Sequence, residues 1–179
     1  MFIVWIFCSI VIAVAVWLAF WKLMTFISSR SHWQAKFVAG KPPEPAPSGF
    51  YRGAAHLLGD RRVPWMGKSF EKENERGFNI FTPTGASLLK VMTPLYKLFR
   101  KNSDGNTDAY YFKTSTSVGF RDKEIATFKL DYDSKENPFL IRIILDEIVE
   151  TAPGEYLGKV HMKVFPGYYS TIGFFGLKK

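Results

Sequence analysis

The stretch of chain that decides the fold class is ATFKLDY, residues 126–132. Apolar side chains occupy every second position and mostly polar ones the positions between, which is the period of a β-strand with one face toward a core. Phe128, Leu130 and Tyr132 are therefore predicted to point inward, together with Ala126.

Other segments on both sides of this strand are predicted to be extended as well. Strands are expected over 50–58, 64–70, 77–82, 109–118, 156–164 and 168–177. Pro166-Gly167 joins the last two as a terminal hairpin. About seven short strands in roughly 130 residues favour an antiparallel barrel or sandwich, and a small barrel can enclose one apolar ligand.

Two helices are predicted to interrupt the strands. The first covers 87–101, where apolar residues recur at helical spacing and Pro94 should introduce a kink. The second opens at Asn137, followed by a proline at the first helical position, and continues past Glu147. Asp146 and Glu147 are expected on its solvated side. The predicted fold class is thus mainly β, a small antiparallel barrel with two helices.

The N-terminus has a different character from this domain. The first 21 residues contain no charged side chain. A helix needs about 20 apolar residues to cross the hydrocarbon core of a bilayer. We predict a transmembrane anchor over 1–27, a juxtamembrane segment with a proline-rich linker over 28–48, and a β-barrel-like domain over 49–179. A cleaved signal peptide is the alternative, although no basic residue precedes the apolar run.

Basic residues next to the anchor predict its orientation. Lys22, Arg30 and Lys36 all follow the apolar run, and the positive-inside rule then places the main domain in the cytoplasm. The protein is therefore expected to be a single-pass membrane protein. Cys8 is the only cysteine, which excludes disulfides and thiolate metal sites within the domain.

The net charge of +8 suits either an anionic lipid surface or a nucleic acid. The basic residues are scattered among acidic ones, and the sequence contains no nucleic-acid-binding motif. Membrane lipid is therefore the predicted partner and nucleic acid is not. The first helix has two interpretations: it covers one end of the barrel as a structural element, or its basic side contacts lipid headgroups through Lys90, Lys97, Arg100 and Lys101.

The start of the domain resembles a known superfamily. Gly49-Phe50-Tyr51-Arg52 is similar to the glycine-x-aromatic opening of the first lipocalin or calycin strand, with Tyr51 at the usual tryptophan position. The terminal hairpin fits the way such barrels finish, whereas the two helices have no counterpart in a plain eight-stranded lipocalin. The resemblance implies a lipocalin-like barrel around a hydrophobic ligand. The residues expected to line the cavity are Tyr51, Tyr110, Phe112, Phe128, Leu130, Tyr132, Val160 and Met162.

Catalytic and cofactor sites are not predicted. His161 alternates with apolar neighbours and is expected on a solvated face beside Lys159 and Lys163. Haem would require a histidine that points inward, which a one-residue shift in register would provide. No nucleophile-elbow sequence is present, and His56 and Asp60 are the only pair with a metal-ligand spacing. No cofactor is expected, with haem as the alternative.

Three functions remain open from the sequence. The first is non-enzymatic binding of a hydrophobic small molecule or lipid by a membrane-anchored domain. The second is a structural or assembly subunit of a membrane protein complex, with a fully packed interior. The third is an enzyme of unidentified chemistry. An empty apolar cavity would favour the first function over the second, and convergent polar groups within it would favour the third.

Overall fold

The computed structural model describes residues 2–56 and 64–179, with side chains from Trp5 onward. Residues 57 and 58 of the first predicted strand lie outside this part of the chain. The helices are α1 (Phe2–Ser29), α2 (His32–Val38), α3 (Pro83–Met92) and α4 (Phe139–Arg142). The strands are β1 (Gly49–Ala55), β2 (Trp65–Glu71), β3 (Arg76–Phe81), β4 (Arg100–Lys101), β5 (Thr107–Val118), β6 (Ala126–Asp131), β7 (Ile144–Ala152), β8 (Glu155–Phe165) and β9 (Tyr168–Lys178).

Eight of these strands form a closed antiparallel barrel. They follow the order β3-β2-β1-β9-β8-β7-β6-β5, and β5 pairs again with β3 to close the ring. Phe81 lies opposite Thr107 at this closure, and the two-residue β4 adds a short pairing to β5. The predicted fold class, a mainly β barrel with an apolar N-terminal helix, is confirmed.

The barrel has two ends that differ in character. At one end of the barrel the chain leaves the strands β1, β3, β6 and β8 and enters the strands β2, β5, β7 and β9. We call this end the upper end. The lower half is filled by side chains that alternate inward along the strands. Its packed cluster contains Tyr51, Phe70, Phe112, Phe128, Leu130, Ile148 and Tyr156. Ring centroids lie 5.6 Å apart for Phe70 and Phe112 and 5.1 Å apart for Tyr51 and Tyr156, which is normal aromatic packing.

The second predicted helix is wrong over most of its length. Only Phe139–Arg142 is helical, and the chain then enters β7, which pairs with β6 and β8. The β-branched residues of this segment suit a strand buried on both faces, and its pairing on both sides outweighs the helical spacing of its apolar residues. Asp146 and Glu147 consequently point to opposite sides of the barrel wall, and both are buried rather than solvated.

The first predicted helix is displaced toward the N-terminus. α3 begins after Thr82, whose hydroxyl accepts a hydrogen bond from the Gly85 N–H as an N-cap. It ends at Met92 because Pro94 lacks the N–H that another helical turn needs. The predicted kink is therefore a helix end, and residues 93–99 continue without helix, with a turn at 94–95.

The helices α1 and α2 pack on the outside of the barrel. Phe37 of α2 is fully buried against Val149, Leu157 and Phe174. The last turns of α1 lie against the first residues of β9, where the Thr25 and Ser170 hydroxyls are 2.8 Å apart. α2 therefore lies against the middle of the barrel wall, and the end of α1 lies near the upper end.

The rest of α1 is exposed. Trp5–Ser29 is long and apolar enough to cross a membrane. Most of its side chains before Leu18 are exposed and make no contact with the barrel that would bury them. Leu18, Trp21, Thr25 and Ser28 form the face of the helix that turns toward the barrel. The free part of α1 therefore leaves the domain at the upper end.

Candidate functional site

The upper half of the barrel contains a cavity of about 330 Å³. This volume is at the small end of the range for ligand sites in proteins. Its walls are apolar and include Trp65, Phe81, Tyr110, Ile141, Ile144, Val160 and Phe175. The aromatic cluster of the lower half closes it from below, so that the barrel is half filled and half open.

Four polar side chains form the floor of this cavity. Lys68 of β2 and Asp146 of β7 meet across the barrel, with 2.9 Å between Nζ and Oδ2, and their side chains are 4% and 5% exposed. The Lys68 ammonium also donates to Asn79 Oδ1 at 2.9 Å and to the Tyr132 hydroxyl. We call Lys68, Asn79, Tyr132 and Asp146 the polar floor.

Strand register brings these four residues together. Lys68 lies opposite Asn79 on neighbouring strands, and Asp146 lies opposite Leu130, two residues before Tyr132. A register shift between Trp65 and Gly67 lets β2 point both Trp65 and Lys68 into the barrel.

Aromatic rings surround the Lys68 ammonium. Nζ lies 5.0 Å from the ring centroid of Phe175, 5.3 Å from that of Phe112 and 5.4 Å from that of Trp65. Each of these distances is within the range of cation–π attraction. The rings partly replace the water that the ammonium loses on burial.

Burial controls the protonation of the polar floor. It lowers the pKa of Lys68 because the charged form is desolvated, while the nearby Asp146 carboxylate acts in the opposite direction. Burial also raises the pKa of Tyr132 well above its usual value, and Asp146 adds to that effect. Tyr132 is therefore a neutral phenol that donates a hydrogen bond to Asp146 Oδ2 at 3.2 Å.

The residues predicted to bind a ligand are divided between two layers. Tyr110, Tyr132 and Val160 line the cavity. Tyr51, Phe112, Phe128 and Leu130 belong to the packed cluster below it. Met162 is half-buried near the end of β8, opposite Ile144 and Ser170.

The polar floor is what the sequence reasoning missed. Lys68 lies in the predicted strand 64–70, two positions before Phe70. Residues two apart in a strand share a face, so the apolar Phe70 is the sequence signal that Lys68 points inward. Asp146 was assigned to a helix. The β-branched run around it, Ile143-Ile144 and Ile148-Val149, was the signal for a strand instead.

The prediction of a solvated His161 is also wrong. His161 points away from the cavity, on the outer face of β8, but it is fully buried, with the Phe120 ring 5.6 Å from its own and with Thr171, which α1 contacts, beside it. Its Nε2 is 3.0 Å from Glu147 Oε2, and its Nδ1 is 3.2 Å from the Thr171 hydroxyl. Glu147 also accepts hydrogen bonds from the Phe120 N–H and the Thr127 hydroxyl.

A hydroxyl, an imidazole and a carboxylate in one row resemble the arrangement of hydrolytic enzymes. Here the hydroxyl is inaccessible, since Thr171 is 2% exposed and its backbone is bonded to Thr25 and Ser28 of α1. We therefore assign the row a structural role, which is to satisfy buried polar groups between α1 and the barrel wall. A second buried pair nearby joins Lys159 to Asp122 at 2.6 Å, and Asp122 also accepts from Gln34.

The Glu147–His161 pair predicts loss of stability in acid. Burial lowers the pKa of His161 from its ordinary value of 6.5, outweighing the opposite effect of Glu147. Burial alone would raise the pKa of Glu147, but the hydrogen bonds from His161, Phe120 and Thr127 hold it below 4.5. Both groups thus take up protons more readily when unfolded, so stability is complete above about pH 6.5 and falls below it, first through His161 and then through Glu147.

Urea unfolding of the full chain in detergent at a series of pH values measures this effect. His161→Gln should flatten the decrease between about pH 6.5 and pH 5, since its side chain does not titrate. His32→Gln, at an exposed position, is the matched control and should keep the slope. Equal slopes for the two variants would contradict the assignment.

Exposed apolar side chains surround the upper end. Leu95 is 91% exposed and Phe139 is 72% exposed, and both follow strands that finish there. We call the apolar rim the set Leu88, Val91, Met92, Leu95, Leu98, Phe139 and Leu140. The four basic residues expected at a lipid surface, Lys90, Lys97, Arg100 and Lys101, are exposed on the same segment. Large apolar side chains exposed together are typical of a binding surface.

Comparison with known proteins adds one structural neighbour. No protein-family model matches the chain, and no curated protein sequence is significantly similar to it. A solved structure, described as a crystal structure of a protein from Thermomonospora curvata, is 17% identical with a TM-score of 0.48. The match covers 80% of this chain and 82% of that one.

Proposed function

We propose that this protein is a membrane-anchored, lipocalin-like domain that binds a hydrophobic small molecule or a lipid without chemically changing it. The observation that carries the proposal is the apolar cavity of about 330 Å³ above a filled lower half. A barrel that needed only a core would continue its packing to both ends, because empty apolar volume costs stability. Stability of the fold alone therefore does not explain the cavity, and binding of a ligand does.

The position of α1 supports the membrane as the source of the ligand. The free part of α1 and the apolar rim lie at the same end as the cavity. Aliphatic side chains flanked by lysine and arginine suit the boundary between acyl chains and anionic headgroups. We propose that the upper end faces the bilayer, with the domain on the cytoplasmic side as Lys22, Arg30 and Lys36 indicate.

The test is photolabelling of the full chain in lipid nanodiscs with a diazirine-bearing decanol. The expected result is covalent labelling of cavity-lining peptides from β8 and β9, in addition to α1, which contacts the bilayer directly. Val160→Trp fills the cavity and should abolish the strand labelling while leaving α1 labelled, so that α1 serves as an internal control. Val118→Trp places the same ring at an exposed position of β5 and should leave both signals unchanged. Absence of strand labelling in the natural sequence would contradict the proposal.

A second candidate function is an assembly subunit of a membrane protein complex. The apolar rim favours it, because Leu95 and Phe139 are suited equally to a protein partner. This function predicts no labelling within the barrel, and it predicts that aspartate substitutions on the rim release a partner protein from the detergent-solubilised complex.

A further inference from the structure

The hydrogen bonds of the polar floor leave one group unused. The three Lys68 N–H donors are taken by Asn79 Oδ1, the Tyr132 hydroxyl and Asp146 Oδ2. The Asn79 amide donates to the Tyr110 carbonyl and to Tyr132, and its oxygen also accepts from Trp65 Nε1. Tyr132 donates to Asp146 Oδ2.

Asp146 Oδ1 is the exception. It is buried and has no hydrogen-bond partner among the residues that the structure describes. A carboxylate oxygen deprived of water without replacement is costly, so such an atom in a cavity wall indicates a partner that the protein itself does not supply. Asp146 lines the cavity, and its Oδ2 is already held by Lys68 and Tyr132, so Oδ1 is the carboxylate oxygen left for a ligand.

The charge balance of the site restricts that partner further. Lys68 and Asp146 are the only charged residues among the described residues that line the cavity, and their charges cancel. A carboxylate head would find no free N–H on Lys68 and would lie beside the oxygens of Asp146. An ammonium head would bring an uncompensated charge into a buried site. A neutral head with an O–H or N–H donor satisfies Asp146 without either cost.

We propose that the natural ligand is a neutral single-chain amphiphile whose hydroxyl or amide head donates a hydrogen bond to Asp146 Oδ1. Its hydrocarbon chain lies between Trp65, Ile144 and Val160 and points to the upper end. This proposal rests on the function proposed above, since it assigns the head group of the molecule that the same cavity holds. A fatty alcohol and a monoacylglycerol share the required chemistry.

The experiment is competition against the diazirine-bearing decanol in nanodiscs that hold the full chain. Unlabelled decanol is compared with decyl methyl ether, which lacks the donor, and with decanoate and decylammonium, which carry charge. Decanol should displace the probe from β8 and β9 at a concentration at least about tenfold lower than the other three, the factor expected of one hydrogen bond to a charged acceptor. Equal potency of decanol and its methyl ether, or a preference for decanoate, would overturn the assignment of the head group.

A variant of the floor separates this proposal from the function on which it rests. Lys68→Met combined with Asp146→Leu replaces the ion pair by apolar side chains of similar size, an exchange that is often neutral for stability. The variant should still be labelled on its strands but should bind decanol and decyl methyl ether equally. Retained discrimination in this variant would refute the role of Asp146, and loss of strand labelling from the natural sequence would refute the binding function itself. Labelling without discrimination in the natural sequence leaves the binding function standing and removes only the present proposal.

Discussion

Lys68→Met is expected to destabilise the barrel by about 3–5 kcal/mol. The substitution keeps the length and apolar stem of the side chain but leaves the Asp146 carboxylate buried without its counter-charge. It also removes a donor from Asn79 and Tyr132, so that the whole polar floor loses its central group. Urea unfolding of the full chain in detergent, monitored by circular dichroism, measures the change.

Two comparisons show whether the loss comes from the unpaired carboxylate. Lys72→Met changes an exposed lysine in the turn after the same strand and should alter the free energy of unfolding by less than about 0.5 kcal/mol. Lys68→Met combined with Asp146→Leu should recover most of the stability, because no buried charge then remains in the polar floor. A double variant as unstable as Lys68→Met alone would show that packing, rather than charge, holds this part of the barrel.

Phe128→Ala is expected to cost about 3–5 kcal/mol while leaving the cavity functional. Phe128 is buried in the packed cluster, 6.3 Å from the ring centroid of Phe70, and does not line the cavity. Truncation therefore removes a ring from the packed cluster, beside a separate pocket at the lower end that Phe70 and Phe128 also line, and leaves the walls of the upper cavity intact. Phe139→Ala, on the apolar rim, is the matched control and should change stability by less than about 0.5 kcal/mol.

For Phe128→Ala we expect a large change in thermal stability and no change in photolabelling. Thermal unfolding should shift strongly downward, whereas photolabelling of β8 and β9 at a temperature where the variant is folded should persist. A small change in stability with lost labelling would mean that the cavity extends down to Phe128, and the division of the barrel into two halves would be incorrect.

The strands were predictable where one face of the sheet is apolar and the other meets water. The sequence of residues 126–132 alternates in this way, and the alternation places Phe128 and Leu130 correctly in the interior. β7 does not, because its outer face is covered as well as its inner one. Ile148 and Val149 are fully buried on opposite faces, as are Asp146 and Glu147, so the segment shows no two-residue alternation of apolar and polar side chains.

Coverage of the outer face also explains the errors at polar residues. His161 and Lys159 alternate as solvated residues would, yet α1, α2 and the 119–125 turn bury them. The sequence of a strand does not indicate whether a distant segment of the chain will cover its outer face. Lys68 and Asp146 lie 78 positions apart in the chain. They form an ion pair only because the closed barrel brings β2 and β7 to face each other, which the local sequence does not indicate.

The hydrogen bonds between α1 and β9 have a mechanical consequence. Thr25 and Ser28 hydrogen-bond to Ser170 and Thr171, so the last turns of α1 are joined directly to β9 of the barrel. Membrane helices respond to a thicker hydrocarbon layer by reducing their tilt and to a thinner one by increasing it. Under the membrane insertion that we propose, each such change of tilt would move the apolar rim relative to the lipid, so the thickness of the membrane would influence access to the cavity.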